Sequence, residues 1–478
     1  MKIAMVVSEA NPLCKSGGLA DVSYSLSREL NKSSHKTIIV LPFYKSIKNK
    51  QKYSFQYIGY FYVDMDWRHQ YVGIFKTNID GIDYYLIDNE FYFGRDNLYG
   101  YDDDNERFAY FSISSIELLK YIAFNSDIIH IHDWQAGMIP CLIKEKYCDD
   151  NFFKDTKTVL TIHNPAYKGI MDKYFLRNYY NLSDDLFYSG KVRFEDMVST
   201  LKSAIVYADK ITTVSPTHRN ELLDPRFSQG LDSILRLREF DFVGIVNGLD
   251  VEEFNPETDK NIKAQFSSNN CTSKKKINKI DLYDSFNLTY RDGPVFGLVS
   301  RLTFQKGINL IFDNIEHLIN NGATIFVLGS GERELENRFQ IFRDKFPDKI
   351  GLYIGYNDVL AHKIYGGSDF FLMPSLFEPC GIGQLIAQRY GTLPIVRETG
   401  GLKDTVINFD WNNLKEANGI SFIDYSGLAL GEAINKAFAI YLNKDVYHKL
   451  RINSLNLNLT WTKSMNEYIN IYKEAIKK

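Results

Sequence analysis

The chain has 478 residues, of which 45% are hydrophobic and 24% are charged, a composition typical of a folded globular protein. At about 100–200 residues per domain, this length predicts two or three domains. The formal net charge of −3 argues against a nucleic-acid-binding protein, because such proteins carry a basic face.

The five cysteines show no C-x-x-C spacing, so the sequence predicts neither a disulfide framework nor a zinc site. Reduced thiols are typical of cytosolic proteins. The apolar run at residues 3–7 is too short for a signal peptide, and no later run is long enough to span a bilayer. We therefore expect a cytoplasmic protein that does not enter a membrane.

Short apolar runs alternate with helical patterns in the first half of the chain. Residues 2–7 predict a buried strand, and Leu19, Val22, Leu26 and Leu30 then recur at helical spacing. Further strands are predicted at residues 37–41, 127–131, 158–162, 210–214 and 243–246. Apolar strands that alternate with helices indicate a parallel sheet covered on both faces.

A polar stretch at residues 267–279 predicts a surface loop near a domain junction, with the lysines at 274–276 on a solvated face. The strand and helix pattern then restarts. Strands are predicted at residues 295–299, 323–328, 369–373 and 393–396, with a helix at 308–319. The sequence thus predicts an α/β protein of two Rossmann-like, doubly wound domains with a cleft between them. Ligands of such sheets bind beyond the carboxyl ends of the strands.

The first loop in such a position is the segment that begins at Lys15 and contains Gly17 and Gly18. Paired glycines let a ligand approach the backbone, and a helix N-terminus attracts an anion. A tight strand-to-helix turn explains the same residues equally well. Neither this loop nor Gly329-Ser330-Gly331 has the G-x-G-x-x-G spacing, which disfavours a nicotinamide dehydrogenase.

The second segment follows the predicted strand at 295–299 and contains Arg301 and Lys306. Arg supplies a planar fork and Lys a point charge, and both suit a diphosphate. Fixed cations stabilise the negative charge that a leaving nucleoside diphosphate gains. The alternative is a pair of ordinary helix-start charges, but cations oppose the dipole at a helix N-terminus.

Two more post-strand segments carry candidate ligand groups. Glu378 precedes a turn that suits sugar hydroxyls and phosphate, and His163 follows the predicted strand at 158–162. His132 and Asp133 also follow a strand, but no further residues have the spacing of a metal site. The residues of the turn are Cys380, Gly381, Ile382 and Gly383.

In this order, the segments resemble those of bacterial and plant glycogen and starch synthases, which are retaining glycosyltransferases of the GT-B fold. The resemblance covers almost the whole chain. It also includes segments 104–108, 132–134, 161–164, 247–250 and 400–406.

The resemblance implies glucose transfer from ADP-glucose to the non-reducing end of an α-1,4-glucan such as glycogen or a maltodextrin, without a metal or other cofactor. It implies that Arg301 and Lys306 bind the donor phosphates and that Glu378 binds donor hydroxyls. The other implied donor contacts are Lys15 with the backbone of Gly17 and Gly18, the glucose-binding Asp133 and His163, Asn247, and Tyr356 stacked on adenine. Domains are expected at 1–246 and 247–460, with a helix at 461–478 that returns to the first domain.

Two alternatives stay open at this stage. One is a retaining glucosyltransferase that uses UDP-glucose, and the other is a catalytically inactive glucan-binding protein. The sequence identifies no covalent nucleophile, so the resemblance implies same-face attack with the leaving phosphate as base. It predicts no oligomeric state.

Overall fold

The computed structural model describes all 478 residues, and these form two compact units. The first unit contains Met1–Asn247 and Trp461–Lys478, and the second contains Gly248–Thr460. The chain therefore leaves the first unit after Asn247 and returns to it at Trp461.

The first unit is built on a nine-stranded sheet and a small three-stranded sheet. Its strands are β1 (Lys2–Val6), β2 (Lys36–Pro42), β3 (Gln56–Met65), β4 (Arg68–Ile79), β5 (Ile82–Asp88), β6 (Ile128–His132), β7 (Lys157–Ile162), β8 (Ile170–Met171), β9 (Arg193–Phe194), β10 (Met197–Ser199), β11 (Lys210–Thr213) and β12 (Phe242–Gly244). The large sheet has the order β12-β11-β7-β6-β1-β2-β5-β4-β3, and the small sheet β8-β10-β9. Strands from β12 to β5 pair in parallel, whereas β3 and β4 pair antiparallel at one edge.

The helices of the first unit are α1 (Gly18–Lys32), α2 (Lys45–Lys48), α3 (Glu90–Phe93), α4 (Asp104–Tyr121), α5 (Ile139–Glu145), α6 (Tyr174–Tyr180), α7 (Asp185–Tyr188), α8 (Thr200–Tyr207), α9 (Pro216–Leu222) and α10 (Asp232–Leu237). The apolar residues that predicted α1 are all buried, because their helical spacing places them on one face. The parallel α/β architecture predicted from the sequence is confirmed.

The second unit has one six-stranded sheet that is parallel throughout. Its strands are β13 (Val295–Val299), β14 (Thr324–Gly329), β15 (Ile350–Ile354), β16 (Phe370–Met373), β17 (Leu393–Arg397) and β18 (Ile420–Phe422), in the order β15-β14-β13-β16-β17-β18. Its helices are α11 (Cys271–Ser285), α12 (Ile308–Phe312), α13 (Ile315–Asn320), α14 (Arg333–Lys345), α15 (Asp358–Gly367), α16 (Gly383–Arg389), α17 (Gly400–Thr405), α18 (Gly427–Leu442) and α19 (Lys444–Leu455).

The prediction of a loop at residues 267–279 is wrong, because helix α11 begins at Cys271. Lys275 and Lys279 occupy buried positions of this helix. Because charged residues stand where apolar ones are expected, the sequence lacks the apolar spacing that indicates a helix. The Lys275 ammonium group donates to the carbonyls of Gly366 and Tyr390, both at 2.9 Å, and to Thr392 Oγ1 at 2.8 Å. The solvated face predicted for this lysine run is therefore wrong for Lys275.

The helix predicted at residues 308–319 is divided into α12 and α13. Asn314 lies at the break, where its backbone N–H bonds Ile311 O in a tighter turn. Its side-chain amide donates to Leu310 O and to Gly427 O, each at 2.9 Å. Such side-chain bonds to the backbone compete with the helical pattern.

Helix α20 (Trp461–Lys477) belongs to the first unit and packs against α1 and β7. Its buried face includes Tyr468 and Tyr472, and Ser464 Oγ donates to Val246 O at 2.6 Å. None of the helices is both long enough and apolar enough to cross a membrane.

Candidate active site

The candidate residues of the first unit follow parallel strands. Lys15 lies in the loop after β1, Asp133 directly after β6, and His163 directly after β7. These three strands are neighbours in the order β7-β6-β1. Their carboxyl ends share one edge of the sheet, which is where ligands of such folds bind.

The loop between Lys15 and Gly18 is held by the carboxylate of Glu9. This carboxylate accepts hydrogen bonds from Ser16 N, from Ser16 Oγ at 2.6 Å and from Gly17 N at 3.2 Å. Tyr99 also donates to it, at 2.7 Å. The sequence assigned no role to Glu9, because an acidic residue eight positions before a glycine gives no signal of this contact.

The Gly17 amide is therefore occupied by a group of the protein itself. The Gly18 N–H stands at the first position of α1 and has no hydrogen-bond acceptor in the protein. Of the two predicted backbone contacts, only the one at Gly18 is available in this conformation.

Lys15 is paired with an acidic residue of the same loop and helix. Its Nζ lies 2.8 Å from Asp21, and half of its side chain is exposed. Burial raises the pKa of Asp21, and the nearby Lys15 opposes this shift. Lys15 is thus tethered at the surface of the first unit while its charge remains accessible.

Asp133 connects the ends of β6 and β7. It has a left-handed backbone with φ of 52°, and its Oδ1 accepts from His163 N at 2.6 Å and from Asn164 N at 3.3 Å. Its side chain is buried, and this burial raises the pKa of Asp133 to about 7, although the two backbone donors oppose the shift. Asp133 therefore changes its protonation near neutral pH.

His163 contacts a second histidine. Its Nε2 lies 2.8 Å from Nδ1 of the buried His132. Burial lowers the pKa of His163 to about 3 and that of His132 well below its usual range, so both rings are neutral at pH 7. No group of three or more His, Cys, Asp or Glu side chains is arranged to hold a metal ion.

Asn247 ends the first segment of the first unit, three residues after β12. Its side chain is buried, and its Oδ1 has no hydrogen-bond partner within the protein. A buried acceptor without a partner costs about 1–3 kcal/mol, which a ligand hydroxyl would recover.

The candidate residues of the second unit also share one edge of a sheet. Arg301 and Lys306 follow β13, and Glu378 follows the neighbouring β16. Lys306 Nζ lies 2.5 Å from Glu378 Oε2, and Ser375 Oγ donates to the same oxygen at 3.1 Å. Arg301 is exposed and forms no ion pair or side-chain hydrogen bond.

The loops that carry this ion pair are joined through their backbones. Leu376 N donates to Gln305 O at 2.9 Å, and Gln305 Nε2 donates to Phe377 O at 3.1 Å. Gly307 has φ of 69°, and a Cβ atom there would lie 2.0 Å from Pro374 O. Only glycine allows the two loops to approach this closely.

The turn predicted to bind phosphate lies directly before α16. Cys380 is buried, and Gly381 and Ile382 lead into the helix, which begins at Gly383. Gln384 Nε2 donates to the carbonyls of Cys380 and Gly381, both at 3.1 Å. These bonds fix the carbonyls of the turn.

Tyr356 follows β15 on the same edge of the second sheet. Its side chain is 86% exposed, and its hydroxyl donates to Asp358 Oδ1 at 3.4 Å. The ring face is accessible for stacking. The structure therefore brings Asp133 together with His163, and Lys306 together with Glu378.

Two family models match successive parts of the chain. Residues 2–237 match the starch synthase catalytic domain, and residues 280–454 match the glycosyl transferases group 1. Each match covers most of one unit and includes the candidate residues of that unit except Asn247.

The chain is similar over its full length to curated glycogen synthases. It is 43% identical to the glycogen synthase of Clostridium kluyveri and 42% identical to that of Finegoldia magna, with 100% of both chains covered in each case. Among solved structures, it is similar to the catalytic domain of starch synthase IV from Arabidopsis thaliana bound to ADP and acarbose. That similarity has a TM-score of 0.93 at 30% identity and covers 100% of this chain and 99% of the other. The two-unit parallel architecture, the matching models and these full-length similarities together show that the chain belongs to the glycogen synthase family of glycosyltransferases.

Proposed function

We propose that this protein transfers glucose from ADP-glucose to the non-reducing end of an α-1,4-glucan, with retention of the anomeric configuration. Membership of the glycogen synthase family supports glucan extension. The starch synthase catalytic domain to which the chain is similar was bound to ADP, which is the nucleotide that ADP-glucose would leave behind.

The observation that carries the proposal is the ion pair of Lys306 with Glu378, together with an Arg301 that lies in the same segment after β13 and has no acidic partner. The donor diphosphate gains negative charge as the glycosidic bond breaks, and fixed cations stabilise that charge. Arg301 has its full hydrogen-bonding capacity available for phosphate. Lys306 has Glu378 as a partner, and Glu378 has further lone pairs that suit donor hydroxyls.

The remaining residues of the second unit complete the proposed donor contacts. We propose that the exposed ring of Tyr356 stacks on adenine. The backbone amides in the turn of Cys380, Gly381, Ile382 and Gly383 would then contact phosphate, since successive amides in turns bind anions.

In the first unit, we propose that Asp133, His163 and Asn247 contact the transferred glucose. Asn247 offers a buried oxygen without a partner, and Asp133 carries a second carboxylate oxygen beside the one that binds two backbone amides. Lys15 and the Gly18 amide would contact the donor phosphates, while Gly17 stays bonded to Glu9.

Retention by a covalent route needs a carboxylate nucleophile. Asp133 is buried with its Oδ1 bonded to two backbone amides, and Glu378 is paired with Lys306, so we assign neither this role. We propose attack on the same face of the sugar, with the leaving phosphate as base. No metal or other cofactor enters this scheme, and EDTA should leave the rate unchanged.

The test is a donor-specificity assay with a maltodextrin primer. We expect ADP release from ADP-glucose at a far higher rate than UDP release from UDP-glucose, and an α-linked product by NMR. A preference for UDP-glucose would replace the donor assignment. Glycogen binding without ADP release would instead indicate an inactive glucan-binding protein.

A further inference from the structure

The two ring nitrogens of His163 have different surroundings. Nε2 lies 2.8 Å from His132 Nδ1, whereas Nδ1 has no hydrogen-bond partner in the protein. The two ring planes are only 23° apart with centroids 5.1 Å apart, so the rings meet edge to edge and nearly in one plane. A neutral imidazole has one N–H and one lone pair, so one ring donates in this contact and the other accepts.

Met5 decides which ring donates. His132 Nε2 lies 3.0 Å from Met5 Sδ, and a thioether sulfur carries no proton and acts only as a weak acceptor. The His132 proton therefore lies on Nε2, because the other tautomer would bring a nitrogen lone pair against those of sulfur. His132 Nδ1 is then the acceptor, and His163 Nε2 is the donor.

We propose that Met5 and His132 hold His163 in its Nε2–H tautomer, so that His163 Nδ1 presents a lone pair to a hydroxyl group of the ligand. Met5 and His132 are positioning residues in this arrangement. A ring nitrogen that only accepts selects a donating sugar hydroxyl and repels a phosphate oxygen. The choice of ligand group rests on the function proposed above, whereas the tautomer does not.

The tautomer is tested on the full-length protein labelled with ¹⁵N-histidine. Two-bond ¹H–¹⁵N correlation spectra distinguish a protonated ring nitrogen from an unprotonated one, and spectra of His163→Gln and His132→Gln identify the two rings. We expect a proton on Nε2 of both rings and none on Nδ1. A proton on His163 Nδ1 would overturn the proposal.

The role of the sulfur is tested with Met5→Leu. This change removes the acceptor but keeps an apolar side chain of similar volume, so we expect the His163 signals to move toward an average of two tautomers. The matched control is Met138→Leu, because Met138 is equally buried in the same unit, and its spectrum should keep the native pattern. An unchanged pattern in Met5→Leu would overturn the role of Met5.

The ligand group is tested by equilibrium binding of ADP-glucose analogues that each carry fluorine in place of one glucose hydroxyl. Fluorine does not donate a hydrogen bond, so the analogue that lacks the hydroxyl bound to His163 Nδ1 should bind about tenfold more weakly to the native protein. It should bind His163→Phe as tightly as ADP-glucose binds that variant. If every analogue binds the native protein as ADP-glucose does, the hydroxyl assignment is overturned. A protein that binds no ADP-glucose would contradict the proposed function instead, and the NMR result would be unaffected.

Discussion

Burial sets the protonation of the side chains at the edge of the first sheet. It raises the pKa of Asp133 to about 7 and lowers that of His163 to about 3, because a charged form loses hydration in the interior. These two neighbours are therefore both mainly uncharged between about pH 3 and about pH 7. Above pH 7 the carboxylate is ionised, and its charge is held by two backbone amides.

The raised pKa of Asp133 predicts a pH-dependent stability difference between the native protein and Asp133→Asn. The pKa of Asp133 in the folded protein lies above its unfolded value of about 3.9. The contribution of protonated Asp133 to the free energy of unfolding is therefore complete below pH 4 and is lost as the pH rises through 7. The free energy of unfolding of Asp133→Asn, relative to that of the native protein, should rise by about 4 kcal/mol between pH 4 and pH 7, at about 1.4 kcal/mol per pKa unit. Above pH 7 this difference should not rise further.

Urea unfolding at pH 4 to 8, followed by tryptophan fluorescence, measures this difference, because Trp67, Trp134 and Trp461 lie in the first unit. The control is Asp102→Asn, which removes an exposed carboxylate without an ion-pair partner. A flat difference for Asp133→Asn would contradict the prediction.

The ion pair of Lys306 and Glu378 predicts that removing one partner costs more than removing both charges. Lys306→Met leaves a buried carboxylate uncompensated and should destabilise the second unit by about 3 kcal/mol. Adding Glu378→Gln should recover part of this loss, because no unpaired charge remains. Urea unfolding of the native protein, the two single variants and the double variant gives the interaction energy between Lys306 and Glu378. Additive losses would show that the pair is not coupled, and recovery of glucose transfer in the double variant would contradict the proposed phosphate contact of Lys306.

At the scale of elements, the sequence predicts strands better than loops. The predicted strands correspond to β1, β2, β6, β7, β11 and β12 in the first unit and to β13, β14, β16 and β17 in the second. Parallel strands buried on both faces appear as continuous apolar runs. The sequence does not predict the other strands, which are β3–β5, β8–β10, β15 and β18. In the antiparallel β3 and β4, exposed tyrosines on the outer face interrupt the usual alternation of apolar and polar residues.

Helix α11 shows why a charged sequence conceals a buried position. The buried Lys275 donates to carbonyls at the ends of α15 and α16. A cation at a helix C-terminus interacts favourably with the helix dipole. Burial nevertheless lowers the pKa of Lys275 well below its usual range. No sequence pattern signals a lysine whose partners lie 90 or more residues away.

This contact predicts a large stability loss for Lys275→Met. Buried carbonyls without a donor cost about 1–3 kcal/mol each, so the second unit should lose about 3 kcal/mol. Lys276→Met is the matched control, because Lys276 is the exposed neighbour and should change stability by less than about 0.5 kcal/mol. Urea unfolding compares the two variants through the fluorescence of Trp411, the only tryptophan of the second unit. Equal losses of stability in the two variants would rule out the proposed role of Lys275.

The turn at Gly307 predicts that an added side chain lowers stability by a steric clash as well as by backbone strain. Gly307→Ala should cost more than the ~1–2 kcal/mol of a left-handed residue, because its Cβ would lie 2.0 Å from Pro374 O. Gly322→Ala measures the cost of backbone conformation alone, because Gly322 also has a left-handed backbone with φ of 84° and no atom lies within 4 Å of the added Cβ. The two free energies of unfolding should differ by at least ~1 kcal/mol. Equal values would show that the loop shifts freely.

At the scale of the whole molecule, the candidate site is predicted only in part. The post-strand positions of Asp133, His163, Arg301 and Glu378 follow from the alternation of strands and helices. Glu9 and Met5 were not assigned roles, because their contacts join loops and strands that only the folded sheet brings together.

Helix α20 predicts that residues 461–478 stabilise the first unit. Deletion of residues 461–478 would expose the core beneath Tyr468 and Tyr472 and remove the 2.8 Å hydrogen bond between the Tyr472 hydroxyl and His130 Nδ1. Hydrogen exchange followed by mass spectrometry should show faster exchange in α1, β6 and β7. The variant Lys477→Ala changes an exposed residue of the same helix, so it is the control and should exchange as the native protein does. Faster exchange confined to the second unit would contradict this assignment.

The return of the chain to the first unit also has a consequence for biosynthesis. Residues 248–460 are translated between the two parts of that unit, a delay of roughly 10–50 s at about 5–20 residues per second. The second unit is contiguous and leaves the ribosome complete while the surface that receives α20 is still uncovered. The first unit is thus completed only after the second unit has been made, and the strand that carries His130 and His132 receives its cover only when residues 461–478 follow.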